Sequence, residues 1–585
     1  MLIVFFEKKQ KNKIKEFMKY LSSLLLIVNL IFGCVYGQKK VVEVKEKKSI
    51  TKVLKKMPNA SIQETITYYY KLKKEAFNSY NFDDENELNT LGYEYLNRGE
   101  VKEAIEIFKV LISEFPKAFN PYDSLGEAYF NDKNYELSIK NYEKSLVLNP
   151  ENWGAERQIF KAQQKIKEKP TFRQVFTKEQ YLEDIDELAK RIEKTHPNPF
   201  EFTSKKAFYE LVENQKSNIK DKMTYGQFIW QLSPIIASIG CEHSHFDVFN
   251  QEDRMLPVNL RFPIEAELVN GELLVVKAHK SKVKLGANIK AINGVSIDVI
   301  TSDIFKHIAS NGHSLSLKNR VFSAYITSYI PYYFDFPTSY EVMFDDNRKM
   351  QLEMLKEFEY ELKKKQLKFE IVEEKNIAKL KIPTFNYYGG ERLRNYKKFI
   401  DESFKKLKKQ KITNLIIDIR GNGGGCSCAA IHLLQYIAKE PFYYFAKNSP
   451  LPGDKNEADI KQLKDNKFSG SIYMIINGFN TSTSGHFLSL IKQNKIATLI
   501  GEESGASYYA NGKVKGFLGT NTGVAYWISR AVYTTSAKDF PRNKGIIPEH
   551  IIYKTEYDIV NKNDAELEYT LRLIQDLEGQ NNIKK

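Results

Sequence analysis

The sequence predicts a multidomain α/β protein with an all-helical region in front of it. Three observations carry this expectation. At 585 residues the chain exceeds what one hydrophobic core serves, so several domains are expected, each with its own interior. A repeated helical pattern lies early in the chain, and strands alternate with helices from about residue 378 onward.

Composition limits the function classes. With 42% hydrophobic, 28% charged and 13% aromatic residues, the chain reads as globular rather than disordered or fibrous. The net charge of +15 suggests nucleic acid, but Met1 to Gly37 holds six Lys against two Glu, and removing it leaves about +11 spread over the whole chain. No nucleic-acid module accompanies that charge, so no nucleic-acid partner is expected.

The first 37 residues read as an export signal: a basic stretch from Lys8 to Lys19, the apolar run Tyr20 to Phe32, then small residues. The run has 13 residues, against the about 20 that a membrane span requires. Cleavage after Gly37, leaving Gln38 first, is the favoured reading. The alternative is cleavage before Cys34 in Ile31-Phe32-Gly33-Cys34, which resembles a lipoprotein box and would leave a lipid anchor. Either way the protein is expected to be exported: periplasmic, outer-envelope or secreted. After cleavage following Gly37, Cys241, Cys426 and Cys428 remain. These are too few for a disulfide framework, and buried or half-buried thiols are expected.

The early repeat has a period of 34. Leu91-Gly92, Tyr95, Phe108 and Pro116 return as Leu125-Gly126, Tyr129, Tyr142 and Pro150. The spacing resembles the tetratricopeptide repeat, in which Gly lets two antiparallel helices approach and Pro ends the second. Two repeats bury too little alone, so helices at about Ile62 to Ser79 and Trp153 to Lys167 are expected to cap them, giving a helical region over 50–169. A generic pair of helical hairpins and a groove for a protein partner are both compatible with this pattern.

Lys169-Pro170 marks a linker. From Lys178 the apolar spacing of Leu182, Ile185, Leu188 and Ile192 is helical, and His196-Pro197-Asn198-Pro199 interrupts it, so 178–250 reads as a helical part. Between 256 and 350 the period changes. Ile264 to Leu268 and Leu273 to Val276 are strand-like, joined by the hairpin signal Asn270-Gly271. Leu285 to Val295, which ends in Ile292-Asn293-Gly294, resembles the core of the peptide-binding PDZ module. From 370 to 578 strands at Ala378 to Ile382, Leu415 to Ile419, Ser471 to Ile476 and Ala497 to Ile500 alternate with helices, which predicts an α/β domain with a largely parallel sheet.

Three stretches carry candidate chemistry. In Ile417-Asp418-Ile419-Arg420-Gly421-Asn422-Gly423-Gly424-Gly425 a buried strand runs into a glycine loop whose amides can converge on an anion or an oxyanion; the Gly-Lys-Ser/Thr ending of a phosphate loop is absent. In Asn480-Thr481-Ser482-Thr483-Ser484-Gly485-His486 a hydroxyl sits at a strand-to-helix turn, either exposed to substrate or merely capping the helix. Gly240-Cys241-Glu242-His243-Ser244-His245 brings two histidines. No third ligand of suitable spacing follows, so neither a metal nor any other cofactor is expected.

Taken together, the glycine run, the Thr-Ser element, Leu499-Ile500-Gly501-Glu502 and Gly545-Ile546-Ile547-Pro548-Glu549 resemble the tail-specific, or C-terminal processing, serine peptidases in their order along the chain. The resemblance covers roughly Lys178 to Ile574. It implies a crotonase-like catalytic domain with a PDZ-like module before it, a peptide or protein substrate, and an acyl-enzyme mechanism. The family's nucleophile lies 19 residues before the Gly of Gly-Glu, and counting back from Gly501 selects Ser482. The oxyanion hole implied is Gly423 or Gly424 together with the Thr483 amide. The Ser-Lys members carry Lys six residues after that Gly, where this chain has Ser507; Lys513 and Lys515 lie further on. The tricorn-like branch uses a histidine in a motif matched here by Gly240 and His243, so His243 is the expected base and His486 its rival. Asp539 and Glu549 are the candidate orienting acids. The second functional reading is an inactive peptidase fold that binds partners; the missing Lys, and Gly485 where the family commonly has Glu, point to it.

Overall fold

In the computed structural model of the chain, residues 47–583 are described, apart from 58–59, 247–248, 250–255, 280–281, 355–364, 373–375 and 452–454. The export segment with Cys34 and Gly37 lies outside them. Among the described residues no helix is long and apolar enough to cross a membrane. The chain divides into two compact units, one ending at Lys133 and one beginning at Asn134.

The first unit is helical, as the repeat pattern predicts: α1 (Ile50–Leu54), α2 (Ile62–Glu75), α3 (Glu85–Asn97), α4 (Val101–Glu114) and α5 (Asn120–Asn131). Ser61 and Glu64 form a capping box that satisfies the first amides of α2. One stripe of α4, including Ala104, Ile107, Phe108 and Leu111, is buried. Gly92 is where α3 meets it, since a Cβ there would stand 2.3 Å from the Phe108 ring.

The second unit opens with α6 (Tyr135–Leu148) and α7 (Trp153–Ile166), then α8 (Lys178–Thr195), α9 (Lys205–Ser217) and α10 (Tyr225–Ala237). Capping boxes Thr177/Gln180 and Thr224/Gln227 start α8 and α10. Helix α8 stops at His196, whose extended backbone is what a following proline demands. Strands β1 (Ile264–Val269), β2 (Glu272–Ala278) and β3 (Asn288–Ile292) follow, then α11 (Ile297–Ile304) and α12 (Leu315–Tyr333), then β4 (Ser339–Phe344) and β5 (Lys349–Glu353). The five strands run in sequential order in an antiparallel sheet, to which the two-residue strand Val295–Ser296 adds by pairing with β3. Asn270 and Gly271 both have positive φ, at 50° and 83°, as the expected hairpin turn requires. This sheet and α8–α10 share one apolar core, with Phe228, Ile229, Ala266, Val275, Ile292 and Val342 among its members.

The remaining chain is the α/β domain: β6 (Lys368–Val372), β7 (Ile377–Lys381), α13 (Gly390–Lys409), β8 (Asn414–Asp418), α14 (Ser427–Ile437), β9 (Ser471–Ile476), α15 (Thr483–Gln493), β10 (Thr498–Gly501), β11 (Tyr509–Gly512), β12 (Lys515–Leu518), β13 (Ala525–Ile528), β14 (Ala531–Thr534), β15 (His550–Ile551), α16 (Glu556–Asn561) and α17 (Ala565–Ile583). Its six-stranded sheet runs β15-β10-β9-β8-β7-β6. All pairings are parallel except that of β6 with β7. Strand β8 is buried on both faces, which is why it reads as a continuous apolar run. Leu415 and Ile417 face the core that includes residues of α13–α15, and Ile416 faces the other side with Ile574 of α17. Strand β11 pairs with β14 and β12 with β13, each antiparallel. The parallel order brings the turns after β8 and β9 side by side at their C-terminal ends, where a site is expected.

Candidate active site

Two buried amides hold the turns after β8 and β9 together. Asn480 donates to the Ile419 carbonyl at 2.6 Å and accepts from the Asn477 amide at 2.8 Å. Asn422 donates to the Ile382 carbonyl and accepts from the Gly424 amide, both at 3.0 Å. Both side chains are fully buried, so each bond is made in a place where a lost partner would be costly. Arg420 fixes the base of the glycine loop, pairing with Asp418 and, at 2.7 and 2.8 Å, with Asp564 at the head of α17.

Ser482 sits at the N-cap of α15 with φ 53° and ψ −130°, a backbone conformation that costs a non-glycine residue energy and turns its hydroxyl outward. Gly424, at φ +91°, lies against it. A Cβ at Gly424 would stand 2.8 Å from both Ser482 Cβ and the Thr483 nitrogen, so only glycine fits. Thr483 Oγ1 donates to the Gly425 carbonyl at 2.6 Å, which brings the Thr483 amide up to the glycine run. Of the two glycines expected to offer an oxyanion donor, Gly424 has its amide turned to the Asn422 side chain.

Helix α10 ends at Ala237, the chain turns at Gly240 (φ +64°), and the following loop reaches across to the turn that carries Ser482. His243 Nε2 lies 3.1 Å from Ser482 Oγ. The ring keeps 22% of its surface exposed. Burial, with His245 nearby as a second cause, pushes its pKa down to about 4. Its neighbour Glu242 accepts the Ser482 amide at 3.0 Å and stands 3.5 Å from His243 Nδ1. Burial raises the Glu242 carboxyl to about 7 despite hydrogen bonds from Asn311, the Ser482 amide and Thr481 that favour its charged form.

The other sequence candidates are elsewhere. The His486 ring hydrogen-bonds the Tyr533 backbone and packs among Tyr444 and Phe445. Glu549 accepts from Lys492 at 2.6 Å and from the Leu499 amide at 2.8 Å. Asp539 lies exposed in a left-handed turn. Lys513 lies over the Trp153 ring and Lys515 pairs with Glu156. Ser507 is buried and donates to the Pro541 carbonyl. Glu242 is the acidic residue the sequence reading passed over. Its only signal was adjacency to His243 within a loop bounded by Gly240. Gly485 has a packing reason, since a Cβ there would stand 2.7 Å from the Ala506 backbone. Among the described residues no cluster of three or more His, Cys, Asp or Glu side chains offers a metal site. The thiol expectation needs correction at two positions: Cys426 and Cys428, at the start of α14, are joined as a disulfide, while Cys241 is a buried thiol. The helical turn brings their Cα atoms to 5.2 Å, within the reach of such a bond.

Residues 376–552 match peptidase family S41. The chain carries an S41 peptidase domain. The matched span holds the glycine loop and Ser482, whereas Glu242 and His243 reach the S41 domain from outside it. Over 139 residues the chain is 30% identical to the tail-specific protease of Haemophilus influenzae, covering 24% of this chain and 18% of that protein. It is 36% identical over 61 residues to human superkiller complex protein 3, covering 10% of this chain and 4% of that one. The chain thus spans less than a fifth of either curated relative. Among solved structures it is similar to mature CPAF, at 12% identity and a TM-score of 0.49, over 69% of this chain and 97% of that one.

Proposed function

We propose that the protein is a serine endopeptidase that cleaves peptides or protein tails in the cell envelope through an acyl-enzyme on Ser482. The observation that carries this reading is the 3.1 Å contact between His243 Nε2 and Ser482 Oγ beside a glycine loop in which Gly424 leaves no room for a Cβ. His243 takes the Ser482 proton as the hydroxyl attacks the scissile carbonyl, then returns it to the leaving amine. The Gly423 and Thr483 amides receive the oxyanion. Glu242, rather than Asp539 or Glu549, is the acid that faces the imidazolium. Its 3.5 Å separation from Nδ1 is of the kind that closes when substrate binds.

The rest of the chain fits the same reading. The α/β domain is crotonase-like, and the β1–β5 sheet serves as a PDZ-like module that presents an extended peptide or chain end. The tetratricopeptide-like helices offer a partner surface, and the first 37 residues direct export, with a lipid anchor at Cys34 as the alternative to cleavage after Gly37. The inactive-scaffold reading loses one of its two supports, because Gly485 is explained by packing against Ala506. Labelling with a fluorophosphonate probe tests the proposal, since only an activated serine reacts. The adduct is expected on Ser482; a protein that stays unlabelled while folded would overturn the reading.

A further inference from the structure

The loop carrying His243 is held less by its own helix than by strand β13. His245 and Trp527 exchange reciprocal backbone hydrogen bonds, both at 3.1 Å. Their rings stack with centroids 5.7 Å apart and planes at 17°. The Ser529 amide donates to Ser244 Oγ at 3.0 Å, and both residues are fully buried. Phe246 meets Tyr526 edge to face at 5.8 Å. Every residue from Ser244 to Phe246, immediately after His243, is therefore tied to one short strand or the residue just beyond it.

Helix α7 grips the hairpin that contains this strand. Phe160 packs edge to face on Trp527 at 5.5 Å. Gly516, opposite Trp527 in the β12–β13 register, makes room for it, since a Cβ there would stand 2.8 Å from the Phe160 ring. At the N-terminal end of the helix Glu156 takes Arg530 at 2.9 Å and Lys515 at 3.4 Å. The Arg530 guanidinium and the Lys513 ammonium each lie 4.5 Å from the Trp153 ring centre. At the other end Lys167 donates to the Gly519 and Thr520 carbonyls at 3.0 and 2.6 Å. The two lysines that could have supplied a Ser-Lys base are thus part of the grip.

We propose that Trp527 is a positioning residue for the base and that α7, through Phe160, sets its position, so that the helical segment before the peptidase region tunes the reaction. The inference rests on the reading of His243 as the base. A misplacement of about 1 Å is enough to cost on the order of a hundredfold in rate, and Trp527 touches His245, two residues from His243. Because the reciprocal hydrogen bonds use only backbone, what the two aromatic rings add is the exact seat of the loop rather than its existence.

The test uses the full chain with Trp527→Leu, Trp527→Phe, Phe160→Ala and Phe160→Leu, measuring kcat, KM, the pH profile and the fluorophosphonate labelling rate beside a melting curve. The expected result is a loss in kcat of about ten- to a hundredfold for Trp527→Leu and Phe160→Ala with KM changed less than about twofold. Trp527→Phe and Phe160→Leu should recover most of it, and the pH profile of the damaged variants should shift. Wild-type kcat and labelling in folded Trp527→Leu and Phe160→Ala would overturn the proposal. A loss that only follows the unfolded fraction, with an unchanged pH profile, would overturn it too. An unlabelled, inactive wild-type protein would instead overturn the peptidase reading itself.

Discussion

The backbone amide of Ser482 donates to the Glu242 carboxylate at 3.0 Å, so one side chain pins the strained Ser482 turn from the same loop that carries His243. That coupling joins two groups whose pKa values burial drives in opposite directions, with Glu242 up to about 7 and His243 down to about 4.

The pH dependence of cleavage follows. A base at about 4 is neutral through most of the working range but accepts a proton weakly, and Glu242 strengthens it only once ionised. The value of kcat/KM should therefore rise in two steps, one near 4 and one near 7. Glu242→Gln should keep the first, lose the second and fall by about ten- to a hundredfold at pH 8. A second step of full height in Glu242→Gln would reject this assignment.

The same carboxyl should weaken the fold at alkaline pH. Its folded pKa of about 7 exceeds the ordinary 4.5, so between these values the folded chain holds a proton that the unfolded chain has released. Stability is then lost as pH rises from 4.5 through 7, by roughly 3–4 kcal/mol at most. Denaturant titrations should find Glu242→Gln more stable than wild type at pH 8, with the gap closing toward pH 4.5. An equal gap at both would contradict the buried-acid account.

Much of this was legible in the sequence, and the parts that were not share a physical cause. Strand β8 announces itself through the run Leu415-Ile416-Ile417, since a strand buried on both faces carries consecutive apolar residues, and the glycine run through Gly424 and Gly425, where a Cβ would meet backbone. Asn270-Gly271 announces its turn through two positive φ values. Asn422, Asn480 and Glu242 do not announce themselves, since their roles depend on tertiary contacts across 40, 61 and 240 residues. Likewise Cys426 and Cys428 lack a paired spacing that a sequence could advertise, and only the first turn of α14 brings them together.

Gly424→Ala should disable the site without unfolding the domain. The new methyl would need to displace Ser482 Cβ and the Thr483 amide, each 2.8 Å away, in a backbone at φ +91°. A drop in kcat of about a hundred- to a thousandfold is expected, comparable to losing an oxyanion donor, with the melting transition retained. Wild-type kcat in this variant would remove the glycine loop from the chemistry.

The link between Cys426 and Cys428 should survive purification without reductant. A non-reducing peptide map should find the Cys426–Cys428 peptide lighter by two hydrogens than after reduction, and Cys241 alone open to alkylation after unfolding. Alkylation of all three under non-reducing conditions would refute the bond.

The central claim is that Ser482 and His243 act as one catalytic unit. It is tested most directly by kcat/KM on a peptide substrate for Ser482→Ala, His243→Ala and the double variant, because members of such a unit are strongly non-additive. The account predicts that each single variant loses about as much as the other, that the double variant is hardly worse, and that His486→Ala stays within a few fold of wild type. Full activity in His243→Ala beside an inactive Ser482→Ala would contradict it.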